Sequence, residues 1–348
     1  MINFSDIFGD DKERQRRKKD SAPIDFSSLD SHPLKKEFPV EKKETPDIST
    51  FKIQRANSQE EREIEELYKR SLSLAEKIFT SEIAVSDIKE LHKLIEILVN
   101  FLRTTNQMFF EYIFGRLPSK ADFMPLNLVN VCILALELGI ELGYSDAELI
   151  NLGMGAFLHD IGMKQLTDLI SQPRHLTNLE RQRIHKHPLA GKEQLEFLQV
   201  DIEPLVLEIV NQEHERRDGS GYPSGLKEND INEYAQIVGL VDVYEALTHS
   251  RPYRNSYPPL EAMKIILRER NLFDARIIKA FLERVGLYPK GTFVELNTKE
   301  VAQVLTQNRG MPSCPLIRVV YDYKGKKLDT IKEIDLSKNA KIYILRSL

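Results

Sequence analysis

Two apolar helical runs of this chain each contain ionisable residues that a hydrophobic core does not accept without partners. His159 and Asp160 are adjacent in the run 157–162, and Asp242 lies in the middle of the run 237–247. Burying such groups is costly unless they are paired, hydrogen-bonded or bound to a metal ion. The fold must therefore bring polar or metallic partners to these positions.

The region around these runs has the sequence pattern of a mainly α protein. Apolar residues recur at intervals of three and four positions, and Gly143, Pro173, Pro204 and Pro258 lie at the boundaries between segments. The predicted helices cover residues 122–143, 146–160, 178–196, 203–214, 230–249, 259–270 and 274–285. We therefore predict a helical domain over residues 121–288.

Three further regions flank this domain. Residues 1–57 combine charges of both signs with prolines and few hydrophobic residues, a composition that predicts a disordered tail. Residues 58–120 have the periodicity of two helices, which fit a regulatory module, a dimerising hairpin or additional packing. Residues 289–348 contain short β-branched and aromatic runs broken by turns, which predict a small β appendage of about four or five strands. The predicted strands are Thr292–Leu296, Val301–Leu305, Ile317–Tyr323 and Ile342–Leu345.

The composition restricts the possible functions. A net charge of −4 over 348 residues excludes a global field that attracts a nucleic acid polymer, so local groups must hold any anionic ligand. Cys132 and Cys314 are far apart and predict buried thiols in a reducing compartment, neither a disulfide framework nor a zinc cluster. The N-terminus lacks the apolar core of a signal peptide, and no stretch reaches the roughly 18 uninterrupted apolar residues of a membrane span. We expect a cytoplasmic protein without a membrane span.

Further nitrogen and oxygen donors lie on separate segments of the helical domain. They are His187, Glu213, His214 and Asp242. Alone, a histidine such as His187 is more often a helix-terminus residue, and an aspartate such as Asp242 can pair with a buried arginine. Together with His159 and Asp160, these donors fit a divalent metal site far better than independent structural pairs do. Adjacent side chains on a helix diverge by about 100°, so His159 and Asp160 can both serve a two-metal cluster in which Asp160 bridges the ions.

The order and spacing of these motifs resemble the HD-GYP family over roughly residues 121–286. The matching segments are His159-Asp160-Ile161-Gly162, His187-Pro188, Glu213-His214-Glu215, Asp218-Gly219-Ser220-Gly221-Tyr222-Pro223, Asp242-Val243-Tyr244-Glu245-Ala246-Leu247 and Arg251-Pro252-Tyr253-Arg254. The segments that contain Tyr222 and Arg251 are the most specific of these. The β appendage also resembles the short extension often found after such domains.

This resemblance implies a helical bundle of the HD superfamily that hydrolyses cyclic di-GMP to the linear dinucleotide or to GMP. It also implies divalent metal ions, which we expect to be two ions of manganese, iron or magnesium. The family ligand positions hold His159, Asp160, His187, His214 and Asp242, and Glu213 is a further potential ligand. We assign catalytic roles to Asp160 and His214.

Other residues fall on segments that shape the nucleotide pocket in this family. Arg251 and Arg254 are candidates for bidentate phosphate contacts, although such arginines also bind carboxylates or helix ends. Tyr222 is a candidate for stacking on a guanine or for ordering the turn, and Lys164 is a candidate for binding substrate. Cyclic di-GMP is the expected ligand. GGDEF-type signalling proteins, bound through the GYP loop 218–223, and a second copy of the chain are further candidate partners.

Four positions depart from the family pattern. Glu213 replaces the first histidine of a His-His-Glu motif, and its carboxylate shifts the metal preference towards hard ions such as Mn²⁺ or Mg²⁺. Met163 replaces a lysine, with Lys164 one residue late and pointing about 100° away if the segment is helical. Asn127 and Phe123 replace an upstream histidine and an upstream glutamate, which argues against a third metal ion.

Three functions remain open from the sequence. They are a working metal-dependent phosphodiesterase, a degenerate domain that binds cyclic di-GMP or a signalling partner without turnover, and an HD-type hydrolase for another phosphoester. The intact GYP segment favours the first two functions over the third. The changes at Met163 and Glu213 favour the second function over the first.

Overall fold

The computed structural model describes residues 59–104, 109–115, 123–172, 174, 176–251 and 255–348. The α-helices within these ranges are α1 (Gln59–Thr80), α2 (Val85–Thr104), α3 (Phe109–Gly115), α4 (Phe123–Glu141), α5 (Asp146–Leu158), α6 (Thr167–Ile170), α7 (Asn178–Ile184), α8 (His187–Phe197), α9 (Pro204–Gln212), α10 (Glu233–Thr248), α11 (Pro259–Arg268) and α12 (Ala275–Val285). Short 3-10 helices lie at Ile161–Leu166, Glu228–Asp230 and Arg270–Leu272. This mainly α architecture, followed by a small sheet, confirms the predicted fold class, while the tail 1–57 lies outside the described residues.

Helix α4 lies at the centre of the bundle. It packs against α1, α5, α10 and α12, and almost all of its residues are buried. A helix that is apolar on all sides is stable when other elements cover every side. Of the described helices, α4 alone is long and apolar enough to cross a membrane, but 89% of its apolar 18-residue stretch is buried inside the protein. This burial is the pattern of a core helix.

Helices α1 and α2 pack onto the helical domain. Helix α1 contacts α4, and α2 contacts α5. Ile64 and Ile78 of α1 and Leu91 of α2 are fully buried and belong to the same hydrophobic cluster as the centre of the bundle. Of the three roles that the sequence leaves open for residues 58–120, these contacts support additional packing.

The predicted helix 178–196 is wrong, because the chain forms two helices there, α7 and α8, with a break at residues 185–186. Pro188 lies in the first turn of α8, where its missing N–H is not needed. In one continuous helix it would remove the hydrogen bond to the carbonyl of Ile184. That carbonyl oxygen instead lies 2.8 Å from Nδ1 of His187. The break therefore places His187 at a helix start with its ring directed into the bundle.

The C-terminal residues form a five-stranded antiparallel sheet in the order β4-β3-β2-β1-β5. Its strands are β1 (Phe293–Leu296), β2 (Val301–Thr306), β3 (Leu316–Tyr321), β4 (Lys327–Asp335) and β5 (Ile344–Ser347). Four of these strands overlap predicted runs, whereas the sequence pattern does not predict β4. Strand β4 is an edge strand with four charged side chains besides its terminal Asp335. Charges protect an edge from unwanted pairing, and here they interrupt the apolar pattern by which a strand is found.

Candidate metal centre

Four elements supply the predicted ligands: the end of α5 (His159, Asp160), the start of α8 (His187), the end of α9 (Glu213, His214) and the middle of α10 (Asp242). Two glycines allow these elements to approach one another. A Cβ at Gly162 would lie 2.1 Å from the carbonyl oxygen of His187. A Cβ at Gly239 would lie 2.2 Å from the carbonyl oxygen of Glu213. Any larger residue at either position would push α8 or α10 away from the cluster.

The first donor group consists of Asp160, His187, Glu213 and His214, whose ligand atoms lie within 4.8 Å of one another. Nε2 of His187 lies 3.1 Å from Oδ1 of Asp160 and 3.4 Å from Oε1 of Glu213. Nε2 of His214 lies 3.5 Å from the same Glu213 oxygen. Imidazole nitrogens and carboxylate oxygens together are ligands for divalent transition metals.

The second donor group consists of His159, Asp160 and Asp242, and it shares Asp160 with the first donor group. Nε2 of His159 lies 3.4 Å from Oδ2 of Asp160 and 3.7 Å from Oδ1 of Asp242. Oδ1 of Asp160 is the oxygen close to His187, so the two oxygens of this aspartate approach different histidines. Asp160 therefore has the placement of a bridging ligand.

Nε2 of His159 and most donor atoms of the first donor group are buried and lack hydrogen bonds. Among the described residues, no hydrogen-bond partner is found for Nε2 of His159, Oδ1 of Asp160, Nε2 of His187, both carboxylate oxygens of Glu213 or Nε2 of His214. Buried polar atoms in native proteins almost always have a partner. Such atoms gathered at one place indicate a bound ligand, and their chemistry fits divalent metal ions.

Backbone carbonyls orient two of the histidine rings. Nδ1 of His159 lies 2.8 Å from the carbonyl oxygen of Ala156, and Nδ1 of His187 lies 2.8 Å from that of Ile184. When Nδ1 donates its proton to a carbonyl, the lone pair of Nε2 is available to a metal ion. Both Nε2 atoms face the donor groups, as metal binding requires.

The carboxylates of the cluster favour protonated imidazoles nearby. Burial alone would lower the pKa of His187, but Asp160 and Glu213 raise it to about 10. Burial raises the pKa of Glu213 to about 7, against the opposing effect of His187. By contrast, burial and the charge of His187 lower the pKa of His214 well below its ordinary value, so this ring is neutral at pH 7. A divalent cation that binds here must displace protons from the cluster.

Two of the departures from the family pattern lie on α4 and contact predicted site residues. Nδ2 of Asn127 donates hydrogen bonds to Oδ1 of Asp242 (3.1 Å) and to Oε2 of Glu245 (2.8 Å). The ring of Phe123 lies 4.9 Å from the guanidinium carbon of Arg251. Asn127 thus orients a predicted ligand, and Phe123 orients a predicted substrate-binding residue.

A cleft adjoins the two donor groups. Asp160, His214 and Asp242 form its polar floor. Its apolar walls include Phe123, Met163, Leu169, Ile170, Leu176 and Ile184. The mixture of apolar walls with a few polar groups is typical of small-molecule sites.

Two arginines line this cleft, and both contact carboxylates. Nη2 of Arg251 lies 2.9 Å from Oε2 of Glu245; Glu245 is buried and Arg251 is partly buried. Arg174 makes a bidentate contact with Glu180, with distances of 2.9 and 2.7 Å, and its side chain is half exposed. A phosphate group can compete for such guanidinium N–H groups because it has the same bidentate geometry as a carboxylate. Arg254 lies outside the described residues.

Tyr222 lies at the cluster, but protein groups cover its ring. The ring centroid lies 4.0 Å from that of His185 and 4.6 Å from that of His214, both in stacked geometry. Tyr222 is only 9% exposed. These contacts support the interpretation that Tyr222 orders its surroundings, and they leave little ring surface for a guanine.

Lys164 is not brought to the cleft, so the structure does not support its predicted substrate contact. Its Nζ donates to the carbonyl oxygen of Ile78 at 3.2 Å and to that of Ser81 at the end of α1. Successive residues of a 3-10 helix diverge by about 120° because it has about three residues per turn. Met163 therefore lines the cleft, while Lys164 faces α1.

Three residues near the site were not predicted from the sequence. Glu245 and Asn130 are buried and hydrogen-bonded to each other, with 3.1 Å between Nδ2 of Asn130 and Oε1 of Glu245. Glu245 lies in the same apolar run as Asp242, so the cost of burying a charge could have indicated it too. Arg174 lies between helices, where no periodicity marks a residue as part of a site.

The sequence matches two known families along its length. Residues 91–277 match the HD domain family, and residues 293–348 match the KOW domain associated with the HD domain. The first match covers more than half of the chain. The second match covers the C-terminal sheet.

Curated relatives share part of this sequence. The cyclic di-GMP phosphodiesterase PA4108 of Pseudomonas aeruginosa is 30% identical over 224 residues, which cover 64% of this chain and 54% of that protein. The cyclic di-GMP phosphodiesterase response regulator RpfG of Xanthomonas campestris is 36% identical over 144 residues, which cover 41% of this chain and 38% of that protein. The chain thus spans about half the length, or less, of these relatives.

A solved structure supports the same fold. Bd1817, an HDG"Y"P protein from Bdellovibrio bacteriovorus, is similar with a TM-score of 0.55 and 20% identity, over 67% of this chain and 75% of that chain. The order of the ligand motifs agrees with these matches. The chain belongs to the HD domain family, and its HD domain is of the HD-GYP type.

Proposed function

We propose that this chain is a metal-dependent phosphodiesterase that hydrolyses cyclic di-GMP to the linear dinucleotide or to GMP. The two relatives described above are named as cyclic di-GMP phosphodiesterases. The proposal rests chiefly on the buried donor atoms without hydrogen bonds at the floor of the cleft. A phosphodiester held in this cleft would lie beside those donors.

The two donor groups fit two divalent ions. The first donor group would hold one ion and the second donor group would hold the other, with Asp160 shared between them. Bound ions would neutralise phosphate charge and lower the pKa of a coordinated water, which phosphodiester cleavage needs at neutral pH. We propose manganese, iron or magnesium, because Glu213 adds an anionic oxygen to the donor set and hard ions prefer oxygen.

His214 is suited to a catalytic role in addition to metal binding. Burial and His187 keep its pKa well below the ordinary value, so its ring is neutral and has a lone pair at pH 7. Its side chain is 15% exposed and lines the cleft. Stacking on Tyr222 fixes the plane of the ring. This stacking restricts the motion of the His214 ring at the cleft, and such positioning favours catalysis.

The remaining side chains of the cleft would bind and orient the nucleotide. Arg251 and Arg174 offer planar donors that match phosphate oxygens. Leu169, Ile170 and Leu176 offer apolar surface to the guanine bases and exclude water from the cluster. These groups explain how a chain with a negative net charge can bind an anionic ligand.

A second function, binding of cyclic di-GMP without turnover, is favoured by one specific observation. Met163 lies in the cleft where the family pattern has a lysine, and Lys164 contacts α1 instead. The described lining of the cleft contains no lysine. A missing cation reduces the stabilisation of charge that develops in the transition state.

Anaerobic purification followed by metal analysis and chromatography of cyclic di-GMP tests both functions. The phosphodiesterase predicts more than one divalent ion per chain and conversion of the nucleotide to linear product. Metal and nucleotide binding without product would favour the second function. If neither nucleotide binding nor product is detected, both proposals are wrong, and hydrolysis of another phosphoester becomes the favoured function.

We further propose that the GYP loop contacts a GGDEF-type signalling protein. Oε1 and Oε2 of Glu215 accept hydrogen bonds from the backbone N–H groups of Ser224 (2.7 Å) and Leu226 (2.9 Å), which anchors the loop. Ser220 and Pro223 are exposed on it. Titration of a GGDEF domain with the protein and with a Ser220→Trp variant tests this contact.

We also propose that the chain forms a homodimer and is located in the cytoplasm. Light scattering tests the homodimer, and cell fractionation tests the location.

A further inference from the structure

Glu245 lies at the centre of a buried polar network next to the metal centre. It is 1% exposed. Its carboxylate accepts hydrogen bonds from Asn127 (2.8 Å), Asn130 (3.1 Å) and Arg251 (2.9 Å). Burial favours the neutral carboxyl, but His249, Arg251 and the two amides hold the pKa of Glu245 below its ordinary value. Glu245 is therefore an anion that fixes several donors at once.

One branch of this network leads to the metal ligand Asp242. The same Nδ2 atom of Asn127 donates to Oε2 of Glu245 and to Oδ1 of Asp242, at 2.8 and 3.1 Å. An amide held between two carboxylates has one favourable orientation, because both of its N–H groups must point at oxygen. Glu245 thus orients Asn127, and Asn127 orients Asp242.

A second branch leads to Arg251 in the cleft. Its guanidinium contacts Glu245 on one side and lies 4.9 Å from the ring of Phe123 on another. Arginine has many rotamers, and ordering them costs conformational entropy. The buried carboxylate of Glu245 and the aromatic ring fix the direction of this guanidinium before any ligand arrives.

A third branch leads out of the HD-GYP motifs to α1. Oδ1 of Asn130 accepts a hydrogen bond of 2.8 Å from the hydroxyl of Tyr68, which is 4% exposed. The hydroxyl occupies the oxygen end of the amide, so the N–H end faces Glu245. Helix α1 therefore contacts the network that orients Asp242 and Arg251.

We propose that Glu245 is a positioning residue that sets the metal ligand Asp242 and the cleft residue Arg251 together, and that α1 supports it through Tyr68. The Arg251 part of this inference rests on the proposed function. Glu245 acts through Asn127 and Arg251, since its own carboxylate is occupied by their N–H groups.

Titration of the full chain with Mn²⁺ alone tests the Asp242 branch without any nucleotide. Glu245→Gln keeps the shape of the side chain and should weaken Mn²⁺ affinity by about tenfold, within the roughly 10–100-fold typical of groups that orient metal ligands. In an Asn127→Leu background the same change should have little further effect, because the branch is already interrupted. Equal losses of affinity in both backgrounds would overturn this branch.

Nucleotide binding at saturating Mn²⁺ tests the Arg251 branch. Glu245→Gln should raise the KM for cyclic di-GMP with a smaller change in kcat, and it should have little further effect on KM in an Arg251→Ala background. Independent effects on KM would overturn this branch. A protein that binds Mn²⁺ without turnover contradicts the phosphodiesterase alone. In that case the Mn²⁺ titrations still test the Asp242 branch, and the Kd of cyclic di-GMP replaces KM in the test of the Arg251 branch.

A milder pair of variants tests α1 and guards against a folding defect in Glu245→Gln. Tyr68→Phe removes one hydroxyl and should weaken Mn²⁺ affinity by about two- to fivefold, the effect of one ordinary hydrogen bond. Tyr112→Phe is the matched control, because its buried hydroxyl bonds the carbonyl of Glu61 at 3.2 Å and its ring lies 5.8 Å from that of Tyr68. An unchanged Mn²⁺ affinity in Tyr68→Phe, or the same loss in both variants, would overturn the role of α1.

Discussion

Oε1 of Glu213 lies 3.4 Å from Nε2 of His187, and within the described part of the chain neither atom has a hydrogen-bond partner. Glu213 is fully buried, and burial raises its pKa to about 7 against the influence of His187. A carboxyl group with this pKa is close to half protonated at neutral pH. A bound cation would select the charged form, so this position couples the charge of the metal centre to its occupancy.

Replacing Glu213 by histidine should raise the turnover of cyclic di-GMP. The carboxylate adds a negative charge that repels the phosphate, and a neutral nitrogen removes that repulsion. We expect an increase of about tenfold, which corresponds to about 1.4 kcal/mol of activation barrier, and a weaker preference for Mn²⁺ over Fe²⁺. Initial rates with each metal measure both effects. Glu208→His is the control, since Glu208 is exposed on α9, the helix that Glu213 follows. A turnover rate that does not rise in Glu213→His would contradict the prediction.

Asp160→Asn should reduce metal binding to less than one ion per chain. Asp160 belongs to both donor groups, and an amide is a much weaker ligand than a carboxylate. Metal analysis after dialysis against Mn²⁺ measures the loss. Asp168→Asn, an exposed aspartate on α6, should leave the metal content unchanged. Full occupancy in Asp160→Asn would show that this residue does not bridge the ions.

The gathering of the candidate ligands at one place could be predicted from the sequence because buried charges require partners. His159, Asp160 and Asp242 stand in apolar runs, so their chemistry indicated a common site before any distance was known. The direction of Lys164 could not be predicted in this way. It depends on the 3-10 geometry of residues 161–166 and on the carbonyls at the end of α1, which come together only in the folded chain.

Other parts of the fold could not be predicted from the sequence, each for a different reason. The break before α8 depends on whether one proline starts or interrupts a helix, and both cases have the same local sequence. Strand β4 is charged because it lies at an edge, and the edge is defined by its neighbours. Arg174 reaches the cleft from an irregular segment, where sequence periodicity carries no information about direction.

The variants Met163→Lys and Lys164→Met separate effects on substrate binding from effects on the stability of the fold. Met163→Lys places a cation in the cleft and should lower the KM for cyclic di-GMP through a charge-assisted phosphate contact. Lys164→Met should leave KM unchanged and lower the free energy of unfolding by about 1 kcal/mol, because two carbonyls at the end of α1 lose a donor. Steady-state kinetics and denaturant unfolding measure the two effects. A higher KM in Lys164→Met would restore its predicted substrate contact.

The pKa of His187 sets the sign of the pH dependence of the metal-free protein. Burial alone would lower this pKa, but Asp160 and Glu213 raise it from 6.5 to about 10. The attraction therefore stabilises the fold fully below about pH 6.5 and is lost as the pH rises towards 10. The Tm in EDTA should fall over this interval, whereas Mn²⁺ affinity should rise because fewer protons compete with the ion. His187→Gln should flatten both profiles; a Tm that rises with pH would contradict this sign.

Arg174 should contribute to substrate binding more than to the chemical step. Its half-exposed guanidinium lines the cleft and already makes a bidentate contact with Glu180, a geometry that a phosphate can replace. Because solvent screens this charge, we expect Arg174→Ala to raise KM only by about fivefold, with kcat little changed. Arg181→Ala is the matched control, since Arg181 is a nearby, partly exposed arginine that contacts Asn178 and does not line the cleft. Steady-state kinetics at saturating Mn²⁺ measure both variants. Equal KM values in the two variants would show that Arg174 serves only to pair with Glu180. A lower kcat in Arg174→Ala would place the Arg174 guanidinium closer to the reacting phosphate than its exposure suggests.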